Sequence, residues 1–269
     1  MTDHRAGDPA AVAGALRRAG CVFAEEEAAL LLAAAGDDDA ARTSLVARRV
    51  AGEPLEQVLG WAELAGVRVV VAPGVFVPRQ RSTLLVREAS AAARASHRAT
   101  GRRVVVLDLC CGTGAVGAAV LAAADEAVGE LHAADVDPAA VACARTNLPT
   151  GHVHEGDLWA ALPEDLTGRF DVVVANAPYV PTAEIALMPP EARLHEARVA
   201  LDGGDDGLDL HRRIAAGAPA WLAPGGVLVL ETSRHQAEHS RRLVARTGLA
   251  ARVVTDDDAA ATAVVASRA

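Results

Sequence analysis

Asn176-Ala177-Pro178-Tyr179 follows directly on the apolar run Asp171-Val172-Val173-Val174-Ala175. Ligands of open parallel sheets sit beyond the carboxyl ends of the strands. An asparagine, a backbone carbonyl and a tyrosine at such a strand end can address a small planar polar group. Standing alone, the same four residues could be a turn with a packed tyrosine. Two further features make chemistry the better reading.

The first is Val104-Val105-Val106-Leu107-Asp108-Leu109-Cys110-Cys111-Gly112-Thr113-Gly114-Ala115-Val116-Gly117, which runs from a strand through a glycine turn into a helix. Glycines let the backbone turn sharply and approach a ligand closely. Gly112 to Gly117 fits GxGxxG, a weak signal by itself that also admits a nicotinamide dehydrogenase. The second is Asp135, at the end of the next strand about twenty residues on, where a carboxylate can accept from ribose hydroxyls. Asp137-Pro138 behind it reads as a helix cap and first turn. Asp157 and Leu158, after a third strand, stand where a nucleotide base would be held. Asp108, Gly112, Thr113, Gly114, Asp135, Asp157, Leu158 and Asn176 are therefore the expected cofactor-binding residues.

Short strands alternating with helices are needed to position these residues. Strands are expected at Val104–Leu109, Glu130–Ala134, Val153–Glu155, Asp171–Ala175 and Gly226–Glu231, most of them separated by helical stretches. That alternation implies an α/β fold with a doubly wound, mostly parallel sheet. At the end, Ala251–Val254 and Thr262–Ala266 are joined too closely for a crossover, so they must form an antiparallel hairpin. Residues 1–65 read as a small helical domain. Its cues are Asp8-Pro9 as a cap, Glu25-Glu26-Glu27 opening a second helix that ends near Gly36, and a third helix from about Ala40 to Val50. Residues 66–82 read as a β-hairpin linker turning at Ala72-Pro73-Gly74, and residues 83–269 as the catalytic domain.

Composition narrows the function. A formal net charge of −9 opposes a broad nucleic-acid-binding face, which needs positive charge to neutralise phosphates. Cys21, Cys110, Cys111 and Cys143 form no CxxC pair, and no Cys or His spacing suits zinc, so no metal is expected. His132, His152, His154 and His195 read as surface or packing residues. The acids between Asp202 and Asp209 lack the spacing of a calcium loop. Residues 1–5 lead into no apolar signal core, and the run Ala28–Ala35 is too short to span a bilayer. A cytoplasmic protein is expected.

Taken together, these motifs resemble the protein-glutamine methyltransferases that modify peptide-chain release factors. The resemblance covers most of the chain: Gly52-Glu53-Pro54-Leu55, Val77-Pro78-Arg79, the glycine turn and Asn176-Ala177-Pro178-Tyr179. Its most specific part is Glu191-Ala192-Arg193-Leu194-His195-Glu196 with Ala200-Leu201-Asp202-Gly203-Gly204-Asp205-Asp206-Gly207-Leu208-Asp209. Nucleic-acid amino-methyltransferases share the tetrapeptide type but not that block. The resemblance implies a class I methyltransferase fold and S-adenosylmethionine as cofactor, with S-adenosylhomocysteine as product. It also implies a protein partner with an exposed glutamine, such as a release factor, gripped by the helical N-terminal domain. Asn176, Ala177, Pro178 and Tyr179 would be the catalytic set. The Asn176 side-chain oxygen and the Ala177 carbonyl would accept both N–H groups of the substrate amide, and Tyr179 would pack on its plane. An amide nitrogen needs such help, because resonance holds its lone pair in the carbonyl system. Alternatives are a nucleic-acid amino-methyltransferase and a cofactor-binding paralogue without catalysis.

The chain departs from the family pattern at four places. Ala177 stands for a usual proline and Cys110 for a usual first glycine. Gln80-Arg81-Ser82-Thr83 replaces a proline, an acid and a Thr-Glu pair, and Glu231-Thr232-Ser233 lacks the glycine expected after the strand. These changes mark a divergent paralogue and bear on its substrate more than on its reaction.

Overall fold

Residues 8–269 are described in a computed structural model; residues 1–5, read above as leading into no signal core, lie outside them. Local chemistry at their first turns starts the first three helices of the N-terminal unit. The Asp8 carboxylate accepts the Ala10 N–H at 3.1 Å to begin α1 (Pro9–Arg18), with Pro9 in the first turn where no N–H is required. Three glutamates open α2 (Ala24–Ala35), and Asp38 accepts from Ala40 and Ala41 to cap α3 (Asp39–Val50). Val12, Leu16, Ala28 and Leu31 close a small core of their own with Val58 of α4 (Leu55–Leu59).

The hairpin lies earlier in the chain than residues 66–82. Its strands are β1 (Trp61–Leu64) and β2 (Val67–Val70), antiparallel with Trp61 opposite Val70. The turn is Ala65-Gly66, both with positive φ, as the twist of a two-residue hairpin demands. Pro73-Gly74 is the more conspicuous turn signal, yet residues 75–77 pair with neither strand. They are held by Glu196 instead, which accepts the Val77 N–H at 3.2 Å, while Gly74 bridges to the Glu196 backbone.

After α5 (Thr83–Thr100) the alternation begins: β3 (Val104–Leu109), α6 (Ala115–Ala123), β4 (Val128–Asp135), α7 (Pro138–Asn147), β5 (His152–Glu155) and β6 (Phe170–Ala175). It continues through α8 (Pro190–His195), α9 (Asp209–Trp221), β7 (Leu222–Glu231), α10 (Ala237–Ala245), β8 (Ala250–Asp256) and β9 (Ala261–Ser267). Seven strands form one sheet in the order β5-β4-β3-β6-β7-β9-β8. It is parallel from β5 to β7, and β9 inserts antiparallel between β7 and β8.

Every residue of β3 and of β6 is buried, because helices cover both faces of the sheet. One core layer runs through Leu85, Ala89, Val106, Val120 and Val172, and the other through Leu107, Phe170, Val173, Ile214 and Leu228. The chain order reverses between β3 and β6, which opens a crevice at their carboxyl ends.

Candidate active site

The β3 end carries the glycine turn. Cys110, Gly112 and Gly114 all have positive φ, at 59°, 54° and 76°. Cys110 thus adopts a left-handed conformation that glycine takes without a side-chain penalty. The turn is held by carboxylates. Gly112 N–H donates to Asp135 Oδ2 at 2.8 Å, and Asp137 N–H donates to Asp135 Oδ1 at 3.0 Å. Asp108 Oδ2 accepts the Gly117 N–H at 2.8 Å. Burial pushes the Asp108 carboxyl up to about 8, with the nearby Asp135 charge adding to it; burial raises Asp135 as well.

The β6 end carries the tetrapeptide, and Glu231 of β7 gathers the groups around it. The Glu231 carboxylate is 1% exposed and accepts from Ser82 Oγ at 2.6 Å, Arg81 Nε at 3.1 Å and the Tyr179 hydroxyl at 3.3 Å. Asn176 Nδ2 donates to Ser82 Oγ at 3.3 Å. Neither Asn176 Oδ1 nor the Ala177 carbonyl accepts a hydrogen bond from any described residue. Burial, reinforced by the Glu231 charge, pushes the Tyr179 phenol up to about 12. Beyond Tyr179 lies His211, whose burial pushes its imidazole down to about 4; its Nδ1 meets Ser240 Oγ at 2.9 Å.

The glycine-rich block of residues 200–209 braces the tetrapeptide from below. Gly203 N–H donates to the Val180 carbonyl at 2.8 Å, and Val180 N–H donates to the Leu201 carbonyl at 3.2 Å. Gln236 Nε2 donates to the Tyr179 carbonyl at 3.0 Å and to the Asp206 carbonyl at 3.1 Å. A β-carbon on Gly203 would stand 2.8 Å from Tyr179 Cα. The block therefore needs glycine for close backbone approach.

These elements enclose one cavity of about 510 Å³. Asp108, Gly112, Thr113, Asp135, Asp157 and Leu158 line it together with Asn176, Ala177, Pro178 and Tyr179. Gly114 does not: its backbone caps α6, and a β-carbon there would meet Leu148 Cδ1 at 2.9 Å. Asp157 Oδ2 is drawn to Arg213, at 2.7 Å. Sequence reasoning missed Arg213, Ser82 and Glu231 as parts of the site. Glu231 had a legible signal, since it is a strand-end acid like Asp135. Ser82 had none beyond its place in the drifted 80–83 segment.

The rim is tied to the N-terminal unit. Arg49 forms a buried pair with Glu27 at 2.6 Å and reaches Glu191 of α8 at 2.8 Å, and Glu191 also lines the cavity. Gln57 Nε2 donates to the carbonyls of Val75 and His195, at 3.0 and 3.1 Å.

The donor set suits S-adenosylmethionine. Asp108, Asp135 and Asp157 all line the cavity, and their carboxyl oxygens can accept from ribose hydroxyls and from the ammonium of an amino acid moiety. A β-carbon on Gly112 would meet no atom within 4 Å, so the turn presents bare backbone to the cavity. Among the described residues no group of His, Cys, Asp and Glu is arranged to hold a metal ion. His132 instead stacks on His152 and His154 across β4 and β5, with ring centroids 4.9 and 5.4 Å apart.

Comparison with known proteins agrees with this construction. Residues 66–258 match the methyltransferase small domain family. A release factor glutamine methyltransferase of Geobacter sulfurreducens is 39% identical over 76% of this chain and 69% of its own length. One from Streptomyces coelicolor is 40% identical over 70% of this chain and 65% of its own length, so the chain spans about two thirds of these relatives. A 4-amino-L-phenylalanine/4-methylamino-L-phenylalanine methyltransferase of Streptomyces pristinaespiralis is 37% identical over 76% and 74%. Among solved structures, a T. thermophilus 16S rRNA methyltransferase in complex with AdoMet and guanosine shares the fold. Its TM-score is 0.51 at 22% identity, covering 78% of this chain and 50% of that one. The chain therefore belongs to the methyltransferase small domain family, as an S-adenosylmethionine-dependent methyltransferase related to the release factor glutamine methyltransferases.

Proposed function

We propose that this chain methylates the side-chain amide nitrogen of a glutamine in a peptide-chain release factor. The observation that carries the reading is the sharing of one cavity by the Gly112–Asp135 turn and by Asn176 and Ala177, whose two carbonyl oxygens accept from no described residue. The names of the relatives from Geobacter sulfurreducens and Streptomyces coelicolor supply the substrate class.

When bound, S-adenosylmethionine supplies an electrophilic sulfonium methyl group. Asp135 and the Gly112 backbone would hold the nucleoside, Thr113, Asp157 and Leu158 would complete that wall, and Asp108 would be available to the amino acid moiety. Asn176 Oδ1 and the Ala177 carbonyl accept the two N–H groups of the substrate amide. Their pull raises electron density on the nitrogen and turns one face of the amide plane toward the methyl donor. Pro178 fixes the turn, and Tyr179 packs on the amide plane. Orientation of this kind is worth on the order of 7–11 kcal/mol in favourable intramolecular systems. The amide proton displaced by the methyl group leaves to solvent through the cavity mouth.

The N-terminal helices α1 to α4, with α8 beside them, grip the release factor; the Arg49–Glu191 pair that joins them supports this division. The hairpin links them to the catalytic domain of residues 83–269. Among the described residues no helix is long and apolar enough to cross a membrane, and all four cysteines are free, which suits work in the reducing cytoplasm.

Incubation with methyl-labelled cofactor and the host's release factors tests the reading, with mass spectrometry locating the label on glutamine. The relative from Streptomyces pristinaespiralis motivates a parallel reaction with 4-amino-L-phenylalanine. Label there and none on any release factor would replace the protein substrate with a small amine.

A further inference from the structure

Ser82 stands between a carboxylate and a carboxamide, and it has only one proton to give. Its Oγ lies 2.6 Å from Glu231 Oε2 and 3.3 Å from Asn176 Nδ2. Ser82 and Glu231 are each 1% exposed, so bulk water has little access to rearrange the contact. A carboxylate only accepts hydrogen bonds. The short contact therefore commits the serine proton to Glu231, and Ser82 can offer Asn176 nothing but a lone pair. A lone pair meets an N–H; it repels a carbonyl oxygen. Asn176 must then turn Nδ2 inward and present Oδ1 on its other side.

The second carboxylate oxygen explains why Glu231 cannot be exchanged silently. Arg81 Nε and the Tyr179 hydroxyl both donate to Oε1, at 3.1 and 3.3 Å. A glutamine in place of Glu231 would have to keep its carbonyl oxygen toward those two donors, and its amide nitrogen would face Ser82. The serine would then accept from residue 231 and donate to Asn176 Oδ1. The whole chain of hydrogen bonds would run backwards.

We propose that Glu231 and Ser82 are positioning residues that set the carboxamide of Asn176 with its oxygen toward the cavity, so that the site selects a donor-bearing amide and rejects an acceptor-only carboxylate. This rests on the amide-methylation reading and deepens it, because it states how glutamine is told from glutamate. Two carbonyl oxygens without donors of their own in one cavity, from Asn176 and Ala177, would repel a carboxylate but pair with the NH₂ of an amide. Sites built around a substrate N–H or O–H reject analogues lacking it by roughly 10⁴-fold or more when fully formed.

The test has one arm that needs no substrate. Side-chain amide resonances of Asn176, assigned by loss in Asn176→Asp, report hydrogen exchange of its NH₂ group by ¹⁵N NMR. Slow exchange is expected in the wild type and in Ser82→Thr, which keeps the hydroxyl, and fast exchange in Ser82→Ala and Glu231→Gln. The second arm measures calorimetric binding, with S-adenosylhomocysteine present, of a release-factor peptide carrying the modified glutamine and of its Gln→Glu twin. The wild type should favour the glutamine peptide at least about a hundredfold. Ser82→Ala should narrow that gap to about tenfold or less, and Glu231→Gln should favour the glutamate peptide. Slow exchange in Ser82→Ala and Glu231→Gln, with the glutamine preference intact, overturns the relay. Failure of the wild type to bind either peptide counts against the release-factor substrate, while the exchange rates still decide the relay.

Discussion

Gly207 lies so close to Tyr179 that a β-carbon on it would stand 2.4 Å from the Tyr179 carbonyl oxygen and 2.5 Å from Gln236 Nε2. Its φ of +74° is also one that side chains rarely adopt. The block that seemed, in sequence, only a family marker thus sets the height of the tetrapeptide above the sheet. Gly207→Ala must either strain the loop or lift Tyr179 away from Glu231. A loss of roughly 2–3 kcal/mol in denaturant unfolding is expected, from backbone strain and overpacking together. Methyl transfer should fall further than stability does. Wild-type activity in this variant would show that the tetrapeptide does not depend on the block.

Arg49 joins α3 to α2 through Glu27 and to α8 through Glu191. Its side chain and that of Glu27 are only 9% and 11% exposed, so this is not a surface pair. Arg49→Met leaves the Glu27 carboxylate buried without its partner and should cost about 3–5 kcal/mol. Glu191 is 42% exposed, and its contact adds little to that figure. The double variant Arg49→Met/Glu27→Leu should recover most of the loss in urea melts, because no charge is then left buried. If the single variant proves as stable as the wild type, the helical unit is held by its apolar core alone.

Ala177 offers a gain rather than a loss. Its N–H donates to no described residue, so a proline there removes no hydrogen bond. It also restricts φ before binding, which is worth roughly 0.4–1 kcal/mol where the native φ fits. Ala177→Pro should stabilise the fold by about that amount in denaturant unfolding, with methyl transfer retained. Reduced activity would instead show that the pocket around this buried residue has closed on alanine. Asn176→Ala, by contrast, removes one of the two acceptors and should lower kcat/KM about a hundredfold or more.

Asp108 gives the fold a pH dependence with a definite sign. Its pKa is about 8 in the folded chain against an ordinary 3.8, chiefly because burial disfavours the charge. The folded state holds the proton more tightly, so the associated stability is fully present below about pH 3.8 and lost as pH rises through about 8. Asp108→Asn keeps an acceptor for the Gly117 N–H but has no proton to lose. The melting temperature of the wild type relative to this variant should therefore decline from pH 5 to pH 8 and level off above. A difference that stays flat across that range would place the Asp108 carboxyl in contact with water.

The amino-acid sequence by itself determined the elements whose causes are local. Asp8, Asp38 and Asp137 cap helices through N–H groups two or three residues away, and the six apolar-rich residues of β3 start and stop where expected. It also determined the order of those elements, and with it the strand ends that carry Asp135 and Asn176. What only the tertiary structure decided were partners far apart in the chain. Ser82 meets Glu231 across 149 residues and Arg49 meets Glu191 across 142, while Arg213 meets Asp157 across 56. Periodicity tells which face of a strand or helix is apolar and how long it runs. It says nothing of which strand lies beside which, and the placement of β6 beside β3 and of β7 beside β6 is what brings Asn176 and Glu231 to the same end of the sheet as Asp135. The hairpin was misplaced for the same reason: residues 75–77 owe their extended path to Glu196, a contact formed only once α8 has packed.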